Sequence, residues 1–294
     1  MDFTPKGVIT ALITPTDKAG NLKEASARKL LQYVIEGGVH GLFPLSTNGE
    51  FYALDFHTKI RMSEITVEEA GGRIPVYMGA ASNTTRESVE LAKAAEKLGA
   101  DAVTVLTPSF IKLNDNELYN HYARIAAATN LPVFMHSFPA RTGILISPHL
   151  VSRLSEIDNI RGIKDGSGNL DITEQYIRCS RDNFSVLAGN DMLILATLVY
   201  GGVGAMSASA NIAPRLVSSI YDHYVAGDLE KAREAQSTLG PLRRAFSLGS
   251  IPVAMLKEAA ALIDLDSGSP VAPVEGLTDD ERRKLKEVLK ALGL

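Results

Sequence analysis

The 294-residue chain has no tryptophan and a single cysteine, Cys179. One thiol leaves no internal disulfide framework and no zinc site built from cysteines. No run of about 18 or more apolar residues occurs, so no simple membrane-spanning helix is expected. The opening MDFTPKGVIT lacks the pattern of a secretory signal, and the cytoplasm is the expected compartment. Charge of one sign is not in excess: 30 Lys and Arg stand against 34 Asp and Glu, a formal net charge of −4. With no dense basic block, neither nucleic acid nor a membrane surface is an expected partner. The nucleotide-binding patterns G-x-G-x-x-G, after the first strand, and G-x-x-x-x-G-K-[ST], anywhere, are missing too.

What the chain does have is rhythm. Short apolar runs alternate with longer helical patterns up to about residue 225. The runs are GVITALITP (7–15), HGLFPLS (40–46), IPVYMGA (74–80), DAVTVLTP (101–108), LPVFMHS (131–137), IRGIKDG (160–166), FSVLAGND (184–191) and VGAMSAS (203–209). Near-continuous apolar segments fit parallel strands buried on both faces. Between them lie patterns such as EASARKLLQYVIEGG and TTRESVELAKAAEKLGA, the latter stopped by Gly99; Asn83 and Asn169 suit helix capping. Eight strand–helix units predict an α/β fold, a (β/α)8 TIM barrel over residues 1–225. Three further helical stretches predict a C-terminal helical domain over 226–294. A Pro/Gly-rich linker, GSPVAPVEG (268–276), precedes the last helix, whose DDERRKLKE run reads as a solvated face.

In such a barrel the chemistry collects at the C-terminal ends of the strands. Lys164 sits there, at the end of the sixth run. A free lysine is almost wholly protonated at pH 7. Desolvation raises its neutral, nucleophilic fraction, and it can then form a Schiff base with a ketone or aldehyde. From position alone, snorkelling to the rim or pairing with Asp165 would serve as well. The turn Ser46, Thr47, Asn48, Gly49, Glu50 follows the second run. Its small residues can aim backbone N–H groups at a carboxylate, or form a plain capped turn. The remaining strand ends supply Thr107, Pro108, Ser109 and Phe110; His136, Phe138 and Arg141; Gly189, Asn190 and Asp191; and Met206, Ser207 and Ser209.

Taken together, the chain resembles the N-acetylneuraminate lyase / dihydrodipicolinate synthase family of pyruvate-type Schiff-base enzymes. The likeness rests on GVITALITP, STNGE, the LTP of the fourth run, P-x-R-T-G after the fifth, GIKDGSGN, AGND and GGVGAMSASAN, and covers nearly the whole chain. It implies the barrel with its helical extension, a homotetramer, and Lys164 as the nucleophile toward a 2-oxo acid. It implies no metal and no dissociable cofactor. It assigns Thr47, Asn48 and Gly49 to the substrate carboxylate, adds Met206 to the binding residues, and matches Arg141 to the arginine that holds a second, distal carboxylate. Asn48 resembles the Ser-Asn-Gly-Glu form of 4-hydroxy-2-oxoglutarate aldolases.

The departures from the family pattern redirect the expected reaction. Most members have a tyrosine in the place of His136, and usually another, lent across a subunit interface, in the place of Phe110. Phe110, expected at an interface or lining the site, transfers no proton. Of the three relay hydroxyls only Thr47 is kept. A histidine with its reference pKa near 6.5 suits acid–base work at neutral pH. The expected activity is therefore carbon–carbon lyase or aldolase chemistry on a 2-oxo acid, releasing or condensing pyruvate, with Lys164, His136 and Thr47 as catalytic residues. Dihydrodipicolinate synthase activity, a dehydratase using the same imine, and a non-catalytic barrel that binds 2-oxo acids are the alternatives. His40, His57, His121, His149 and His223 show no paired metal-ligand spacing. Tyr52 and Tyr77 are both candidates for a phenol at the mouth.

Overall fold

All eight apolar runs form parallel strands in a computed structural model that describes residues 4–294; the first three residues of the opening segment lie outside it. The strands are β1 (Gly7–Ala11), β2 (Gly41–Phe43), β3 (Tyr77–Gly79), β4 (Ala102–Leu106), β5 (Val133–Ser137), β6 (Ile160–Asp165), β7 (Ser185–Ala188) and β8 (Gly204–Ser207). Their order is β2-β1-β8-β7-β6-β5-β4-β3. A parallel bridge between Leu42 and Val76 closes the ring between β2 and β3. That seam is thin because Pro44 and Pro75 lack an N–H and can only accept there. They do so from Gly79 N (3.0 Å) and Leu42 N (2.9 Å). The architecture is a (β/α)8 barrel.

Alternation along each strand sorts the core into two compartments. Ile9, Phe43, Tyr77, Phe134, Leu187 and Met206 fill the barrel's interior. The residues between them in sequence pack against the surrounding helices. Gly162 belongs to the inner layer, where a Cβ would come within 2.5 Å of both Phe134 Cε1 and the Ser185 carbonyl oxygen. The ring of Phe134 therefore occupies space that β6 leaves open, directly below Lys164.

Local signals set several helix ends. Helix Thr85–Leu98 stops at Gly99, whose φ of +82° lies in the left-handed region. Asn169 caps helix Leu170–Cys179 by accepting from Asp171 N. Asn83 does not cap; Thr84 takes that place. Asn83 Oδ1 instead accepts from Ser109 N (2.9 Å) and Ser109 Oγ (3.0 Å), tying the loops after β3 and β4 together.

Beyond helix Pro214–Val225 come Leu229–Arg244, Pro252–Leu262 and Asp279–Ala291. The last buries only Leu285 and Leu289, and its charge run faces outward. The apolar cluster on the barrel's outside continues unbroken into these helices through Leu239, Leu256 and Leu285. Among the described residues no single helix is long and apolar enough to cross a membrane.

Candidate active site

β5 and β6 run side by side with His136 opposite Lys164, and β7 places Leu187 on the other flank of the lysine. Neighbouring strands are about 4.8 Å apart, so imidazole and amine start from adjacent anchor points. Both side chains are buried. The Lys164 Nζ lies 5.2 Å from the centre of the Phe43 ring, over the apolar floor of the barrel. Burial pulls its pKa down to about 8, against the opposing influence of the Asp191 carboxylate. At neutral pH roughly a tenth of the amine is then free, against a few parts in ten thousand for an exposed lysine.

The two simpler fates for this lysine do not occur. Lys164 is buried rather than at the rim, and Asp165 is engaged elsewhere. Asp165 accepts from Thr173 Oγ1 at 2.6 Å and from Ser167 N at 2.9 Å. Asp191, which accepts from Ser209 N at 2.9 Å, balances the ammonium instead. Its place at the end of the AGND run was the available signal; its electrostatic part was not visible in the sequence.

His136 differs from the expectation in its proton affinity. Burial, and then the charge on Lys164, hold its imidazole well below the usual histidine range. It is a neutral ring at physiological pH, stacked on Phe138 with centroids 5.8 Å apart and planes 17° apart. A reference pKa near 6.5 does not apply where water is excluded and a cation is adjacent. Among the described residues, His136 Nε2 is buried without a hydrogen-bond partner, and so is Thr47 Oγ1. Orphaned polar atoms are costly inside a protein. Both belong to the wall of the cavity that also holds Lys164, where a substrate oxygen can satisfy them.

The turn after β2 is built in a different way from the one expected. Ser46 Oγ donates to Leu12 O (3.2 Å) and accepts from Gly49 N (3.2 Å). Glu50 N donates to Thr47 O (3.2 Å). The N–H groups of Gly49 and Glu50 are thus spent within the turn. Those of Thr47 and Asn48 donate to nothing among the described residues and remain for a ligand. Gly49 does not line the cavity. It is required because a Cβ there would stand 2.9 Å from Leu12 O. Glu50, at φ +55°, turns its carboxylate away toward the C-terminal extension. There it pairs with Lys257 Nζ and accepts from Val271 N.

The cavity holds about 460 Å³ and is walled by Thr47, Asn48, Tyr52, His136, Lys164 and Met206 among others. Arg141 reaches it from the short helix Pro139–Thr142, which ends at Gly143 with φ +73°. Of the two candidate tyrosines, Tyr52 is at the mouth, and burial raises its phenol to about 12, with Glu50 adding to the rise and Arg141 opposing it. Tyr77 lies inside the barrel against Phe134, with centroids 5.3 Å apart. Phe110 is 98% exposed at φ +73° and does not line the cavity of its own chain. Arg243, Phe246, Pro252 and Val274 complete the roof. No sequence motif marked them, because they approach from the extension only after the chain has folded back. Among the described residues, no group of three or more His, Cys, Asp or Glu side chains comes together as a metal-binding cluster.

An eight-stranded α/β barrel with a buried lysine of pKa about 8 at its carboxyl end and orphaned polar side chains in the same cavity has the equipment of a Schiff-base-forming lyase. The chain belongs to the dihydrodipicolinate synthetase family, whose model matches residues 4–292. It is 38% identical over 296 residues to 4-hydroxy-tetrahydrodipicolinate synthase of Methanopyrus kandleri, covering 100% of this chain and 98% of that protein. It is 39% identical to the enzyme of the same name from Archaeoglobus fulgidus, covering 98% and 99%. An uncharacterised DapA-like lyase of Halobacterium salinarum is 37% identical, covering 98% and 94%. Among solved structures, dihydrodipicolinate synthase of Thermotoga maritima superposes with a TM-score of 0.95 at 32% identity, covering 99% of both chains. The protein is accordingly an enzyme of the class I aldolase type, acting on a 2-oxo acid by Schiff-base chemistry.

Proposed function

We propose that Lys164 attacks the ketone of a 2-oxo acid and that the enzyme works as a carbon–carbon lyase, or in reverse as an aldolase, with pyruvate as the common product or donor. The observation that carries this reading is the pairing of a buried lysine of pKa about 8 with a neutral imidazole on the adjacent strand. Addition of the amine and loss of water give an iminium. That cation accepts the electron pair of the C3–C4 bond. His136, with Thr47 beside it, takes the C4-hydroxyl proton through a neutral acceptor nitrogen. The bond breaks to an aldehyde and an enamine, which is protonated and hydrolysed to pyruvate. The free N–H groups of Thr47 and Asn48 hold the substrate carboxylate, Met206 packs against the three-carbon unit, and Arg141 takes the distal group. No metal enters these steps.

Synthesis of 4-hydroxy-tetrahydrodipicolinate is the second reading. The relatives of that name and the presence of Arg141 at the mouth favour it. Replacement of a phenolic relay by His136 and Phe110 favours the lyase. A cytoplasmic setting and a homotetramer belong to the same proposal. The fully exposed aromatic ring of Phe110, held out on a left-handed backbone, is a natural subunit contact.

The test joins capture to turnover. Pyruvate and borohydride should add one reduced adduct per chain, on Lys164, by intact mass and peptide mapping. A panel of 4-hydroxy-2-oxo acids should release pyruvate. An unlabelled Lys164 would overturn the Schiff-base reading. Labelling without cleavage of any panel member, together with condensation of pyruvate and aspartate semialdehyde, would favour the synthase.

A further inference from the structure

Outside the catalytic cavity, and continuous with it, lies an open recess walled by Arg141, Arg243 and Arg244, together with Asn190, Ser247 and Ser250. It shares Phe138, Arg141, Arg243, Phe246 and Pro252 with the inner cavity. Among the described residues no Asp or Glu contributes to its wall. None of the three arginines has a carboxylate within ion-pair distance among the described residues, whereas Arg28, Arg61, Arg233, Arg282 and Arg283 all do. In a chain of net charge −4, a concave surface with three unpaired guanidinium groups is a local reversal of sign. Like charges on one wall repel one another, and an anion between them relieves that repulsion.

Arg243 is also held in place. Its guanidinium stacks over the Phe246 ring at 4.7 Å from the centroid. Stacking fixes the plane of the fork and leaves its N–H edge available for hydrogen bonding. Tyr52 adds a phenol that burial keeps protonated, so it too can donate at this mouth. One arginine is enough to bind one carboxylate through two parallel hydrogen bonds. A second fixed guanidinium at the same opening exceeds what a monoanionic far end requires.

We propose that Arg243 is a specificity-determining residue that acts with Arg141 to select substrates whose far end is a dianion of the phosphate monoester kind. This inference rests on the Schiff-base reading above and deepens it by naming the far end of the second substrate. The 2-oxo acid end is bound at Lys164 and the turn after β2. The aldehyde fragment extends outward, and its terminal phosphate meets both guanidinium groups.

The experiment condenses pyruvate with three aldehydes: glyceraldehyde 3-phosphate, glyceraldehyde and succinate semialdehyde. The phosphate ester should give the highest kcat/KM, at least about tenfold above each of the others. Arg243→Gln should raise KM for the phosphate ester about tenfold or more, with a much smaller effect for glyceraldehyde, and Arg243→Lys should restore part of the loss. Borohydride should still capture pyruvate on Lys164 in Arg243→Gln, which shows the variant folded and able to form the imine. Equal kcat/KM for the phosphate ester and glyceraldehyde, a preference for the semialdehyde, or an equal loss on all three aldehydes in Arg243→Gln would overturn the proposal. Failure of pyruvate capture in the wild type would instead remove the Schiff-base reading beneath it.

Discussion

Glu50 and Lys257 form an ion pair, 2.5 Å between Oε2 and Nζ, with both side chains removed from solvent. One residue belongs to the turn that presents Thr47 and Asn48 to the cavity; the other belongs to the extension helix Pro252–Leu262. Further hydrogen bonds support the pair. Lys257 Nζ also donates to Thr16 Oγ1 and Ser269 O, each at 2.7 Å, and Glu50 Oε1 accepts from Val271 N at 2.8 Å. Buried charges are tolerated when satisfied in this way. The extension thus anchors the turn after β2 from behind.

Lys257→Met leaves the Glu50 carboxylate buried without its counter-ion. Loss of one partner of a buried pair costs about 3–5 kcal/mol, to be read from denaturant unfolding. The KM for pyruvate should rise as well, because the turn loses its anchor. The double variant Glu50→Leu/Lys257→Met should recover most of the stability but little of the pyruvate affinity. Recovery of both would mean that the pair contributes nothing to the geometry of the turn.

Lys164 ties activity and stability to pH in the same direction. Its pKa falls from 10.5 to about 8 on folding, a difference of order 3 kcal/mol between the protonation states. The unfolded chain binds more protons in the interval between these values, so stability contributed by this group rises with pH from about 8 to 10.5. Lys164→Met should therefore be more stable than wild type below pH 8, and the gap should close as pH approaches 10.5. The rate of imine formation should climb with an apparent pKa near 8. Asp191→Asn, which removes the carboxylate favouring the ammonium, should move that titration to lower pH. A profile unchanged in Asp191→Asn would show that the carboxylate does not influence the amine.

Much of the barrel was legible because parallel strands buried on both faces write themselves as continuous apolar runs. The residues at the carboxyl ends of β5 and β6 followed from the barrel rule, and their register brings His136 and Lys164 together. Other relations were invisible for definite reasons. The Glu50–Lys257 pair and the approach of Arg243 depend on how the extension folds back, which no local pattern encodes. Asn83 reads as a cap but is taken by Ser109, a neighbour across two loops. The proton affinity of His136 depends on exclusion of water and on the lysine next to it, neither of which a reference value contains.

His136 makes its own prediction from that last point. Because the ring stays neutral well below its usual range, the pH dependence of turnover should show no histidine limb between about pH 6 and 7. Acid loss should follow Lys164 instead. His136→Ala should reduce kcat for retro-aldol cleavage by about 10²–10⁴-fold, the usual contribution of a positioned proton carrier, while borohydride capture persists. A variant with unchanged kcat would pass the proton-transfer role to Thr47 or to water.

Gly162 tests whether the barrel's inner packing sets the lysine's position. An alanine Cβ at this point would meet Phe134 Cε1 and the Ser185 carbonyl, each at 2.5 Å. The aromatic ring is packed edge-to-face against Tyr77, and the carbonyl belongs to the adjoining strand. β6 must therefore move, and with it Lys164 two residues further along the same face. Overpacking of this kind costs about 1–3 kcal/mol. Gly162→Ala should lose that much stability by denaturant unfolding and should also form the pyruvate imine more slowly at fixed pH. If the stability falls while the imine rate and its apparent pKa remain those of the wild type, the floor of the barrel supports the fold without positioning the amine.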